Sequence, residues 1–467
     1  MLKPLNSAGA VTDIGSAVFP KPFLNELEYN CPVHENWNIV HTGMLLPETH
    51  QIYVCPDNCM RGVVMTADEM GLSGRFSCVM VSEKETVDGK LEEITIEGVT
   101  DLIRRLPCRP RAVELFLVCI HHFVGADERH IFHVLEQRFP DIQFLHCWMD
   151  PIMQKIALTP EQKQRKSMLQ PIMEMPEDAG VVNVLGDNLR LPESSDLSRI
   201  LEKHGIRIQQ VQDIRNFDDY RKMGNAFLNI TRSALSVYGV KALSERLGRP
   251  FLYLPPACSE EEIKKEAAAL IEAVYRKENA GTEAFERNTA ETEEYAETVH
   301  AAAMQEAEDF LKPLQLRCEE AFAHYLEKAG RIPVAIDYLA HPRPLGLARI
   351  LLQHGIPVSI VYLDVISPEE KADFDWLKAN AAGLLLQSTN HVKSRVLKRG
   401  GEKVLCIGPK SAYFQNSPYF VNMIENDGNW GCDGILHLLE KMEEALDHPK
   451  DTKGTVTRKG LGMETVL

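Results

Sequence analysis

Short apolar runs separated by polar, helix-periodic stretches set the rhythm of this chain. Gln51-Ile52-Tyr53-Val54 closes on Cys55 before the turn residues Pro56-Asp57-Asn58. Val113-Glu114-Leu115-Phe116-Leu117-Val118 closes on Cys119, and Ile142-Gln143-Phe144-Leu145-His146-Cys147 follows a helix expected over 128–138. Runs of this length, bounded by turn residues, are expected of strands covered on both faces. The rhythm returns at 181–185, 205–211, 226–230 and 250–254. It returns again at Arg331-Ile332-Pro333-Val334-Ala335-Ile336-Asp337, 356–363, 383–387 and 403–408. Strands alternating with helices predict an α/β protein with parallel, doubly wound sheets.

The same pattern divides the chain. An N-terminal segment, 1–35, precedes a first α/β domain over 36–180. A second α/β domain with long charged helices spans 181–330, a third spans 331–446, and the tail 447–467, with basic residues among Gly and Thr, is expected to be disordered. Residues 161–166 and Pro176-Glu177-Asp178-Ala179-Gly180 read as a polar crossing between the first two domains. Within 259–328, Ser259 followed by Glu262 fits a capping box at the start of an Ala- and Glu-rich helical region. The acidic stretch 283–297 reads as a solvated helix face. No repeat of solenoid period is present.

Composition narrows the class. A chain of 467 residues exceeds what one core usually supports. Lys+Arg of 51 against Asp+Glu of 67 gives a net charge of −16, which speaks against a nucleic-acid partner and for solubility. No apolar stretch is long enough to span a membrane, and the amino terminus lacks the basic-then-apolar order of a signal peptide. A cytoplasmic location is expected. There the 11 cysteines are metal ligands or core residues rather than disulfides.

Three cysteines stand apart from the rest. Cys55 and Cys119 are expected at strand carboxyl ends, where open α/β sheets place their ligands. Cys31 lies in Asn30-Cys31-Pro32-Val33-His34, whose proline favours extended backbone. Spacing alone leaves two readings open, buried inert thiols or one face of an iron–sulfur cluster. Cys59 stands one helical turn after Cys55, and His121-His122 follow Cys119 as possible tuning groups or proton carriers. His34 and Glu35 flank Cys31 in the same way.

The surroundings of these cysteines resemble component 1 of nitrogenase. The resemblance rests on Val54-Cys55, Ser77-Cys78-Val79-Met80-Val81-Ser82-Glu83, Glu85-Thr86-Val87-Asp88-Gly89, and Leu117-Val118-Cys119 followed by Val124-Gly125-Ala126-Asp127. Ala126 replaces the first aspartate of that family's Ile-Gly-Asp-Asp element. Downstream, Asn183-Val184-Leu185-Gly186-Asp187-Asn188, Asn229-Ile230-Thr231-Arg232-Ser233, Leu247-Gly248-Arg249-Pro250-Phe251 and Gly431-Cys432-Asp433-Gly434 continue it in order, from about 30 to 445. The resemblance implies three Rossmann-like domains around a central cavity. It also implies that Cys31, Cys55 and Cys119 are ligands of an iron–sulfur cluster, [4Fe–4S] or related, at a subunit interface. Three ligands leave a cubane one short, so the partner is expected to be a second component 1-like subunit or a second copy of this chain.

Departures from the family shape the expected reaction. The family's cofactor cysteine falls at about Ile230, which cannot ligate iron, and no histidine occurs between Phe414 and Gly434. An iron–molybdenum cofactor is therefore not expected, and neither is dinitrogen reduction. The remaining resemblance is to nitrogenase-like reductases of organic substrates such as tetrapyrroles, fed by an ATP-hydrolysing iron protein. This chain has no phosphate loop of its own, so the nucleotide belongs to that partner. Asp187 and Arg232 are expected to face the cavity, and Arg343 stands at a strand-to-helix turn where a guanidinium would suit a carboxylate. Two further roles fit the resemblance: a scaffold for cluster or cofactor assembly, and a non-catalytic partner subunit of a heteromer. Neighbouring genes for a reductase and a second component 1-like chain would favour the enzyme.

Overall fold

The computed structural model describes residues 9–23, 39–150, 158–278, 289–395, 403–452 and 454. Cys31, His34 and Glu35 lie outside the described residues, as does most of the tail. Along the chain the strands are β1 (Val11–Asp13), β2 (Thr49–Cys55), β3 (Phe76–Met80), β4 (Ala112–Val118), β5 (Gln143–Met149), β6 (Asp178–Val184), β7 (Arg207–Gln210), β8 (Ala226–Thr231) and β9 (Phe251–Tyr253). They are followed by β10 (Val334–Asp337), β11 (Val358–Tyr362), β12 (Leu385–Gln387), β13 (Leu405–Ile407) and β14 (Phe420–Val421).

These strands form three sheets, ordered β3-β2-β4-β5, β7-β6-β8-β9 and β1-β12-β11-β10-β13-β14. Every pairing is parallel except that of β1, which runs antiparallel on the edge at β12. In each sheet the strand order reverses direction at an inner pair: β2/β4, β6/β8 and β10/β13. Such reversals open a crevice at the strand carboxyl ends, because the crossovers on either side leave in opposite directions. All seven residues of β2 and all seven of β4 are buried. Helices cover both faces, which is why these strands read as continuous apolar runs.

The described chain groups into two compact units. One holds Tyr29–Arg190 and Gly205–Pro255, and with them the first two sheets. Its core packs Tyr53, Phe116, Leu145 and Met149 against Val240 and Leu243. The other holds the third sheet, the segment Leu191–His204, and the helices Glu260–Glu278 and Thr289–Ala329. In the first of these helices Ser259 Oγ accepts the Glu262 N–H at 3.3 Å, as a capping residue should.

One expected crossing is a helix. Residues 160–169 form Pro160–Leu169, started by a capping box between Thr159 and Gln162. Its inner face buries the polar Gln164, Arg165 and Ser167, with Met168 and Leu169 only at its end. Polar residues over most of the buried face hide the hydrophobic periodicity, so the segment resembled a linker.

Candidate functional site

Cys55 is the last residue of β2, and Cys119 opens the helix Cys119–Phe123 directly after β4. Val54 pairs with Leu117 in the parallel register, so Cys55 stands beside Val118, one residue from Cys119. Strands about 5 Å apart therefore deliver both cysteines to the same end of the sheet. That end is the reversal between β2 and β4.

The thiols sense one another. Burial pushes Cys55 up strongly, and Cys78, Cys59 and Cys119 push it further. Cys119 is half-buried and raised first by burial, then by Asp150 and Cys59, while the N–H groups of Ile120 and Cys119 itself act the other way. Cys78 on β3 is pushed up to about 12 by burial. Cys59 lies exposed on the helix Asp57–Glu69 and is raised by burial and Asp57. The structure thus brings Cys55, Cys78, Cys59 and Cys119 into one neighbourhood. Cys78 stands across from Tyr53, two residues before the end of its strand. Neutral thiols must lose protons before they can bind metal, and iron supplies the charge that makes this favourable.

The donor set suits soft iron chemistry, because thiolate is the usual ligand of iron–sulfur clusters. Among the described residues no group of three or more His, Cys, Asp or Glu side chains holds a metal ion by itself. Cys55 and Cys119 are two thiols of the kind a cluster site would use.

His121 is not free to carry protons. Its Nδ1 accepts the Val118 N–H at 3.3 Å and its Nε2 meets Thr95 Oγ1 at 3.2 Å, with burial lowering its pKa to about 4. The neutral ring fixes the turn that presents Cys119. His122 is exposed and, with His121, Asp127, Trp148, Asp150 and Lys163, lines a cleft of about 480 Å³. Phe123 and Val124 follow, 67% and 49% exposed.

A profile of the nitrogenase component 1 type oxidoreductases matches residues 54–447, most of the chain. The chain belongs to this family. The fold is similar to that of a chain described as nitrogenase Cp1 at pH 6.5, at TM-score 0.63 and 14% identity, covering 97% of both chains. A chain described as nitrogenase Cp1 at pH 5 gives 0.57 and 12%, covering 94% of both. Comparison with curated proteins gives no match. The nitrogenase component 1 fold accounts for the three doubly wound sheets. Among the described residues no helix is long and apolar enough to cross a membrane.

At the β6/β8 reversal of this nitrogenase-type chain, Arg232 and Asp187 pair at 3.5 Å, both buried. Burial raises Asp187, with Arg232 opposing. Arg343 precedes the helix Pro344–Gln353 as expected, but its guanidinium is committed to Glu262 and Asp373, each at 2.9 Å.

Two polar groups escaped the sequence reading. At the β10/β13 reversal, Lys410 Nζ donates to Tyr338 Oη and Thr389 Oγ1, both at 3.1 Å, and burial lowers its pKa to about 6. A Gly408-Pro409 turn starts the helix Pro409–Gln415 just before Lys410, and that was the available signal. The second is Glu114, wholly buried inside β4.

Burial pushes Glu114 up to about 7, with Gln164 and Arg75 opposing. An unfolded chain releases this proton near the ordinary glutamate value, whereas the folded chain keeps it until about pH 7. Between these values the folded state binds more protons, so stability falls as pH rises. Two to three units correspond to about 3 kcal/mol. Glu114→Gln is expected to flatten this fall in urea titrations across the same window; an unchanged pH profile would contradict the assignment.

Proposed function

We propose that this chain is a nitrogenase-like oxidoreductase subunit that holds an iron–sulfur cluster, [4Fe–4S] or related, through Cys31, Cys55 and Cys119. The fourth ligand comes from a second component 1-like subunit or a second copy of this chain. Electrons arrive one at a time at low potential from an ATP-hydrolysing iron protein and pass to an organic substrate, for which a tetrapyrrole-like molecule is the leading class. The observation that carries this reading is the delivery of Cys55 and Cys119, from separate stretches of chain, to one strand reversal.

Other features support it. Exposed Phe123 and Val124 beside a polar cleft next to Cys119 make an apolar patch with a charged rim, which suits a docking partner. Ile230 is fully buried in β8 and pairs with Val184 and Leu252, a packing role that supports an organic substrate over dinitrogen. When bound, the cluster supplies one-electron storage at low potential. The chain's own part is to place the thiols and to fix the Cys119 turn through His121. Lys410 and Tyr338 offer a buried proton donor at the third sheet.

The test is anaerobic isolation with the second subunit and the candidate iron protein, followed by visible absorbance. The cluster chromophore is expected to bleach only when ATP is supplied. Bleaching without nucleotide would contradict the proposed donor. A cluster that leaves intact for another protein, without substrate turnover, would replace the enzyme with an assembly scaffold.

A further inference from the structure

Glu114 sits where a charge is hardest to keep. It lies in the middle of β4, opposite Gln51 on β2 and Leu145 on β5, in a sheet whose two central strands are buried throughout. Gln164 Nε2 donates to its Oε2 at 3.0 Å, while its Oε1 has no hydrogen-bond partner. The helix Ile39–Gly43 leaves room only because residue 43 is glycine: a Cβ there would stand 2.0 Å from Glu114 Oε2. A dry acid with one unpaired oxygen is cheapest as a neutral carboxyl.

Its neighbours do not titrate with it. Arg75 spends its guanidinium on the carbonyls of Thr49, Met44 and Leu46 and stays cationic. Tyr53 on β2, Cys147 on β5 and Tyr220 in the helix Phe217–Arg221 are all raised by burial, with Glu114 raising them further, and remain neutral near pH 7. Gln51 and Gln164 carry no charge. His50, which meets Ser77, is neutral with its pKa lowered by burial to about 4. Among the described groups around it, Glu114 alone changes charge near neutrality.

Its distance from the cysteine end is set by the strands. Gln51 pairs with Glu114, and Cys55 lies four residues beyond Gln51. At about 3.3 Å per residue this is about 13 Å through buried sheet. The interaction of two unit charges at that separation, at an effective dielectric of about 20, is worth about a tenfold change in a proton equilibrium.

Resting on the cluster reading above, we propose that Glu114 is a redox-linked proton site: it takes up a proton from solvent when an electron reaches the Cys55/Cys119 centre and releases it when the electron leaves. The electron is the one supplied by the low-potential donor. The only bond made or broken at Glu114 is its own O–H bond, so each electron is matched by at most one proton. Glu114 thereby sets the potential from a distance, without touching the redox centre.

The test is the midpoint potential of the anaerobic holoprotein complex, measured at a series of pH values across neutrality, for the natural chain and Glu114→Gln. The natural chain is expected to show a potential falling with pH by about tenfold in equilibrium constant, about 59 mV for one electron. Glu114→Gln is expected to be flat. Reduced-minus-oxidised infrared spectra of the natural chain, which need no variant, are expected to gain a protonated carboxyl band. Iron present with a flat natural profile, an unchanged slope in Glu114→Gln, or no carboxyl band overturns the Glu114 proposal alone. A chain without iron overturns the cluster reading and this proposal with it.

Discussion

Cys119→Ala and Cys55→Ala are each expected to reduce the iron and acid-labile sulfide of the anaerobically isolated complex to background, whereas Cys78→Ala should retain both. The expectation follows from position. Cys55 ends β2 and Cys119 begins the helix after β4, so each presents sulfur at the reversal of the sheet. Cys78 lies two residues short of the end of β3, half-buried across from Tyr53. On the proposed ligation, losing one thiolate would leave an iron open to water and exchange. Folding should survive both alanine changes, since each removes a single sulfur at the carboxyl end of a strand. Normal circular dichroism with iron absent is therefore the expected pair of results. Full iron in Cys119→Ala would remove that residue from the ligand set.

Asp337→Ala is expected to damage the fold strongly, unlike either cysteine change. The Asp337 carboxylate ends β10 and accepts N–H groups of Leu339 at 3.0 Å, Ala340 at 3.3 Å and Ser411 at 2.7 Å. It ties the β10 turn to the helix Pro409–Gln415 across the third reversal. Gly408, at φ 108°, lets the backbone come so close that a Cβ would stand 2.3 Å from the carboxylate. Alanine at 337 would strand three buried donors, at a cost of about 3–5 kcal/mol. Hydrogen exchange of the β10 and β13 amides should accelerate accordingly. Asp337→Asn keeps an acceptor on one side only and should lie between the two. Burial pushes Asp337 up to about 6, so the folded chain holds this proton longer than the unfolded one. Its contribution to stability falls as pH rises from the ordinary aspartate value to about 6, and Asp337→Asn should remove that slope.

The parts of the molecule that were legible in its sequence share one physical property: their partners are apolar and interchangeable. β4 was read as 113–118 and spans Ala112–Val118, because a strand covered on both faces reads as a nearly continuous apolar run. The helix Glu128–Arg138 was read at its observed limits, with Asp127 capping the His130 N–H. Cys55 and Cys119 were placed at strand ends because the runs stop there. β3 was not read as a strand. It is half-exposed, includes Ser77 and Cys78, and has no apolar run to announce it. β1 pairs with β12 some 370 residues away, a distance along the chain about which local pattern is silent. Glu114 lay in plain view inside a recognised strand. Its burial depends on Gln164 and Gly43, which approach from other elements, and alternation alone would have turned a carboxylate toward water. Polar networks built from specific, distant partners are what one sequence hides best.

The measurement that bears most directly on the account is iron-edge anomalous diffraction from crystals of the anaerobically prepared complex. The account predicts a compact iron peak at the β2/β4 reversal, within bonding distance of the Sγ atoms of both Cys55 and Cys119. Iron bound elsewhere, or those two sulfurs resolved as free thiols in a complex that reduces its substrate, would contradict it.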